Sequence, residues 1–124
     1  MQTILILSLG AILGVNLRYF LVQFIARFVP SGFPYATLFI NLSASFILGF
    51  VMIWTTERVL ADPRWRMFLA VGFCASYSTY SSYAFETFAL MERGQLLLAA
   101  LNILVTNAVC FLAVALGAVL ARAL

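Results

Sequence analysis

Four stretches of this chain are long enough and apolar enough to cross a membrane, and they leave room for little else. They cover about residues 3–28, 35–56, 67–90 and 96–121, and a spanning helix needs roughly 20 mostly apolar residues. Only 9% of the 124 residues are charged, whereas a soluble domain carries about 25%. We therefore predict an all-α membrane protein, with residues 1–124 forming one domain of four transmembrane helices.

Short polar connections separate the four apolar stretches. Residues 29–34 contain two prolines and a glycine, residues 57–66 contain Asp62-Pro63, and residues 91–95 contain Gly94. Proline and glycine favour turns, and Asp-Pro is typical of a helix start. The N-terminal residues lack a basic segment before the first apolar stretch, so that stretch is predicted to be a retained span rather than a cleaved signal.

All seven basic residues are arginine, and they are spread thinly along the chain. An even number of spans puts both termini on one side of the membrane, and that side carries a small excess of arginine. So weak a bias is typical of a chain that inserts in both orientations, although a single orientation with cytoplasmic termini stays open. The scattering argues against nucleic-acid binding. Arg58, Arg64, Arg66 and Arg122 lie on the terminal side, and Arg27 and Arg93 lie opposite.

Two cysteines, Cys74 and Cys110, lie inside apolar stretches. Cysteines in such surroundings are usually buried free thiols, so neither a disulfide nor a zinc site is predicted. The chain also has no visible pair of nucleophile and base, which argues against an enzyme.

Eight consecutive hydroxyl residues occupy positions 76–83, in the middle of the third apolar stretch. A helix cannot hide eight neighbouring hydroxyls on one face, and serine and threonine compete with helical backbone bonds. We therefore predict a break near residues 75–79, buried in protein or lining a polar cavity, with carbonyl groups free to bind a cation. The alternative is an intact helix whose hydroxyls bond back to the preceding turn.

Polar side chains also occur in the second and fourth stretches. Asn102, Thr106 and Cys110 are spaced by four residues and share one helix face. Such a stripe either lines a water-filled path or holds helices together, and on its own it favours the second role. Asn41 is a candidate to bond a neighbouring helix or, through its amide NH₂, an anion.

Further candidates lie near the hydroxyl run and in the first stretch. Tyr80 and Tyr83 are three residues apart and share a helix face, and aromatic ring edges carry partial positive charge that suits an anion. Arg18 is a candidate for a water-filled vestibule, and Glu86 for pairing with an arginine of a neighbouring helix or subunit. Because all four helices carry polar groups, we expect a dimer, antiparallel if insertion is dual.

Small residues spaced by four predict close approach of helix backbones. This pattern is common in membrane proteins and carries no functional information of its own. It occurs in Gly10 and Gly14, in Ser45 and Gly49, and in Ala113, Gly117 and Ala121.

The order and spacing of these residues resemble the Fluc (CrcB) fluoride channels over essentially the whole chain. The third stretch is the most informative, since Gly72-Phe73-Cys74 leads into the hydroxyl run and then to Glu86. The other matching pieces are Gly10-xxx-Gly14-xxx-Arg18, Ala36-Thr37-Leu38-xx-Asn41 followed by Ser45-Phe46-xx-Gly49, and Glu92-Arg93-Gly94.

The resemblance implies a passive fluoride-selective channel in the inner (plasma) membrane that exports fluoride and so confers fluoride resistance. It implies an antiparallel homodimer with two pores, no organic cofactor, and a central structural sodium ion held by the backbone carbonyls of Ala75 and Ser78. By position, the pore and anion-binding residues are Asn41, Tyr80, Tyr83, Ser82, Asn102, Thr106 and Cys110, and Arg18 and Glu86 belong to the vestibule.

The chain departs from the family pattern in the third stretch. Ala75 and Ser76 stand where the family has two glycines, and Tyr80 and Tyr83 stand where it has phenylalanines. One alternative is therefore a non-conducting or selectivity-altered relative that serves as an accessory or heterodimer subunit. A small four-helix multidrug or cation exporter fits less well, because Glu86 is its one candidate for a proton-coupling carboxylate.

Overall fold

The computed structural model describes residues 1–57 and 62–124, so Arg58 lies outside the described part. The described residues are helical, which confirms the predicted all-α membrane fold. Three of the described helices are long and apolar enough to cross a membrane without interruption, namely Gln2–Ile25, Tyr35–Glu57 and Leu96–Ala123. The third passage is divided into shorter pieces. The elements are α1 Gln2–Ile25, α2 Tyr35–Glu57, α3 Pro63–Arg66, a π-helix Met67–Cys74, α4 Ala75–Tyr77, α5 Tyr80–Glu92 and α6 Leu96–Ala123.

The helix ends lie within a few residues of their predicted positions. α1 ends at Ile25, three residues before the expected end, because the chain tightens into a turn in which the Phe28 N–H donates to the Ile25 carbonyl at 3.0 Å. α3 begins as predicted, with the Asp62 carboxylate accepting from the Arg64 N–H at 2.9 Å. The turn before α6 contains Gly94 at φ +72°, a conformation that favours glycine.

The third passage is broken at Ser78 and Thr79, inside the predicted window. Ser78 has ψ 161° and Thr79 has φ −152° and ψ 111°, so both residues are extended. Their φ angles are negative, as is that of Ala75 at −67°. Alanine and serine therefore fit at the positions where the family has glycine, because the break requires no left-handed residue.

The π-helix Met67–Cys74 was not predicted. Its wider turn is uncommon and is found mostly as short insertions near functional sites. It packs along α1 at very short range: a Cβ on Gly72 would lie 2.8 Å from the carbonyl oxygen of Leu7. The apolar composition of this stretch does not distinguish a π-helix from an α-helix.

Glycines form two seams at which helix backbones touch, as the spacing of small residues predicted. α1 meets the third passage at Gly10 and Gly14, where an added Cβ would collide with the carbonyls of Phe68 and Phe73. α2 meets α6 at Gly49 and Gly117 in the same way. In lipid, such backbone contact supplies the packing energy that the hydrophobic effect supplies in water.

We expect Gly117→Ala to destabilise the protein by about 1–3 kcal/mol. The new methyl group would collide with the Phe46 carbonyl and lie 2.8 Å from the Phe50 N–H, so α2 and α6 must separate. Thermal unfolding in detergent measures the effect. Gly32→Ala is the control, since no atom of residues 1–57 or 62–124 outside its immediate neighbours lies within 4 Å of its added Cβ. Equal unfolding temperatures for the two variants would contradict a packed seam.

Candidate functional site

The amide of Asn41 on α2 braces the break in the third passage. Its Nδ2 donates to the Thr79 carbonyl at 3.1 Å, and its Oδ1 accepts from the Thr79 N–H at 2.8 Å. One side chain thus satisfies both backbone groups of an extended residue, as a neighbouring β-strand would. A bond to a neighbouring element is one of the two roles considered for Asn41.

The side chain of Thr79 starts α5. Its Oγ1 accepts from the Ser82 N–H at 3.2 Å and lies 3.0 Å from the Ser82 hydroxyl oxygen. Threonine is a favoured residue for such a helix cap. Ser82 therefore lies at the first turn of α5, where its hydroxyl belongs to the cap.

The break removes the helical donors of several backbone carbonyls, among them those of Ala75 and Ser78. A continuous helix would bond the Thr79 N–H to the Ala75 carbonyl and the Ser82 N–H to the Ser78 carbonyl, but both donors are engaged elsewhere. These are the two carbonyls that the family resemblance assigned to sodium. In this structure the Ser78 carbonyl accepts from Arg18 Nη1 of α1 at 3.3 Å.

A polar recess of about 230 Å³ opens beside the break, between α2, α5 and α6. It brings together five of the seven residues that the resemblance assigned to the pore. The lining residues are Asn41, Ser45, Ser78, Tyr80, Tyr83, Thr106, Asn107 and Cys110.

Asn102 lies outside this recess, buried between α5 and α6 with 1% of its surface exposed. Its Nδ2 donates to Thr87 Oγ1 at 2.8 Å, and its Oδ1 accepts from Thr106 Oγ1 at 3.1 Å. Asn102 therefore holds two helices together, whereas Thr106 and Cys110 of the same stripe line the recess. Thr87 was not among the candidates, because a single threonine in an apolar helix carries little signal.

Asn107 also lines the recess, and no role was predicted for it because it lies one position off the stripe of Asn102, Thr106 and Cys110. Its Nδ2 donates to the Tyr83 hydroxyl at 3.1 Å and to the Ile103 carbonyl at 2.7 Å. An asparagine on the outer face of a spanning helix is itself a signal, since an amide in lipid is costly without a partner.

The two vestibule candidates lie in separate recesses. Arg18 lines a recess of about 350 Å³ together with Ala75 and Ser76. Glu86 lines one of about 250 Å³ that also includes Arg93. Its Oε1 accepts from the Thr37 hydroxyl at 2.8 Å, and its Oε2 is buried without a hydrogen-bond partner among the described residues.

We expect Asn41→Ala to destabilise the break by about 1–3 kcal/mol, because it leaves the Thr79 N–H without a partner. Hydrogen exchange of the peptide spanning residues 78–82 should accelerate and report the loss locally. Asn16→Ala is the matched control, since that exposed amide bonds only to Ile12 of its own helix. An unchanged hydrogen-exchange rate in Asn41→Ala would show that the break is stable without the hydrogen bonds of Asn41.

Residues 5–118 match the family described as CrcB-like protein, Camphor Resistance (CrcB). A protein from Koribacter versatilis named fluoride-specific ion channel FluC is 47% identical over 107 residues, 86% of this chain and 85% of the relative.

Two further relatives carry the same name. One from Sulfurihydrogenibium sp. is 42% identical over 124 residues, the full length of both chains. One from Citrifermentans bemidjiense is 38% identical over 123 residues, which is 99% of this chain and 98% of the relative. The match therefore includes the break, the recess and both glycine seams, and this multi-pass inner-membrane chain belongs to the CrcB-like family.

Proposed function

We propose that this chain is a subunit of a passive, fluoride-specific channel that exports fluoride. The observation that carries the proposal is the recess beside the break, where five predicted pore residues meet. Family membership and relatives named as fluoride-specific ion channels support the same conclusion. A negative membrane potential would drive the anion outward by about 2.3 kcal/mol per charge per 100 mV.

The chemistry of the recess suits a small anion. Hydroxyl and amide groups line it, and none of its lining residues carries a carboxylate. Hydroxyl and amide N–H groups donate hydrogen bonds to an anion without adding a charge. This donor set favours an anion pathway over a cation exporter, which would need an acidic group at the same place.

We infer that a second copy of the chain covers the recess, in an antiparallel homodimer. In one copy the recess is open towards lipid, with Tyr80 79% exposed and Ser81 and Asn107 on the outer surface. Polar groups facing lipid are costly unless they find partners. The weak arginine bias supports insertion in both orientations, which an antiparallel pair requires.

A structural sodium ion at the dimer centre is part of the proposal. The Ala75 and Ser78 carbonyls would hold it, because the break frees both oxygens and uncharged oxygens suit a hard cation. The ion would supply a fixed positive charge at this point. Arg18 already donates to Ser78, so its guanidinium and a sodium ion compete for that carbonyl.

The first experiment measures fluoride and chloride efflux from proteoliposomes that contain the purified protein. We expect rapid loss of fluoride while chloride is retained, because the relatives are named fluoride-specific channels and hydroxyl groups of the recess favour the halide with the most concentrated charge. Empty liposomes give the background, and the mass of the detergent-solubilised protein gives its oligomeric state.

Two outcomes would contradict this function. A well-folded dimer that passes neither anion would favour the non-conducting accessory or heterodimer subunit, and co-purification of a second chain would then identify the partner. Equal loss of fluoride and chloride would favour a selectivity-altered channel. A folded monomer would overturn the homodimer.

The sodium proposal predicts that sodium raises the unfolding temperature in detergent relative to N-methyl-D-glucamine at equal ionic strength, since a ligand of the folded state stabilises it. Arg18→Gln keeps a donor but removes the competing charge, so it should lower the sodium concentration required by about tenfold. Arg122→Gln is the control, because Arg122 pairs with Glu57 away from the break. Identical melting curves in both cations would rule out this site.

A further inference from the structure

The hydrogen bond between Asn107 and Tyr83 has no part in the family pattern or in the proposed function as stated above. Asn107 projects from α6 and Tyr83 from α5, and both line the recess. Tyr83 is one of the two positions where this chain has a phenol in place of the family's phenylalanine. The pair therefore adds a hydroxyl group to the proposed ion path, and its orientation follows from its hydrogen bonds.

The amide of Asn107 has only one orientation that satisfies its contacts. The carbonyl of Ile103, 2.7 Å away, can only accept a hydrogen bond, so the NH₂ end of the amide must face it. The second N–H of the same NH₂ group is directed at the Tyr83 oxygen at 3.1 Å. The Tyr83 oxygen is consequently an acceptor in this pair.

The phenolic proton of Tyr83 must then point elsewhere. Among the described residues, the Tyr83 oxygen has no hydrogen-bond contact besides Asn107. The residue is 8% exposed, and the open space that it borders is the recess. A buried donor without an acceptor is costly, so an O–H held in this way favours an acceptor that enters the recess.

We propose that Tyr83 donates its O–H to an anion in the recess, and that Asn107 is the positioning residue that turns the phenol for this contact. The proposal rests on the proposed function and deepens it by naming a donor that selects for fluoride. Fluoride is the smallest halide and concentrates its charge most, so it gains most from an O–H donor. Phenylalanine at this position could offer only a ring edge.

The test compares the fluoride dependence of flux in the wild-type channel, Tyr83→Phe, Asn107→Leu and the double variant. We expect each single variant to raise the half-saturating fluoride concentration by about tenfold, the loss of one hydrogen bond to an anion. The maximal rate should stay or rise, because a weaker site releases fluoride faster. The double variant should resemble the single ones, since both remove the same contact.

Asn16→Leu is the matched control, because Asn16 makes the same bond to a carbonyl one turn earlier but lies on α1, away from the recess. Its half-saturating concentration should equal that of the wild type. Additive effects in the double variant would show that Asn107 acts independently of Tyr83. Wild-type half-saturation in Tyr83→Phe would overturn the proposal.

A second readout needs no conduction. Fluoride added to the detergent-solubilised dimer should change the tyrosine bands of the infrared difference spectrum, and equimolar chloride should not. The change should vanish in Tyr83→Phe and shrink in Asn107→Leu. A band shift in a protein that conducts no fluoride would support Tyr83 as the donor and contradict the proposed channel function. No shift in a conducting wild-type protein would refute the donor.

Discussion

The site depends on one pairing, in which the amide of Asn41 takes the place of a strand beside Thr79. An extended segment at membrane depth has peptide groups that water cannot satisfy, so it persists only where protein supplies the partners. With those partners in place, α5 starts afresh from its own cap and turns Tyr80 and Tyr83 towards the recess. The break is therefore a part of the fold that neighbouring residues stabilise, rather than a defect in a helix.

Two glycine seams bring the partners of the break within reach. Gly14 allows α1 to approach Phe73, which places Arg18 beside Ser78. Gly49 and Gly117 hold α2 against α6, so that the helix carrying Asn41 borders the helix that lines the far wall of the recess. The glycine contacts carry no functional chemistry of their own, but they determine which polar groups lie next to each other.

The break was predictable because its cause is local: eight neighbouring hydroxyls cannot share one helix face. The different surroundings of Asn102 and Thr106 were not predictable. Helical spacing shows that two residues share a face, but it does not show whether a neighbouring helix or a cavity lies opposite that face. Asn107 was missed for the same reason, since its role depends on Tyr83, 24 residues earlier in the chain. The π-helix leaves no pattern in a uniformly apolar stretch.

The bond between Arg18 and Ser78 joins residues 60 positions apart, which bears on the order of assembly. A charged side chain in a spanning helix is costly to insert, and the Ser78 carbonyl that accepts from Arg18 is in place only after the third passage has entered the membrane and broken. During synthesis, α1 therefore stays incompletely stabilised until more than half of the chain has followed it. The first helix to be synthesised is therefore among the last to gain all of its stabilising contacts.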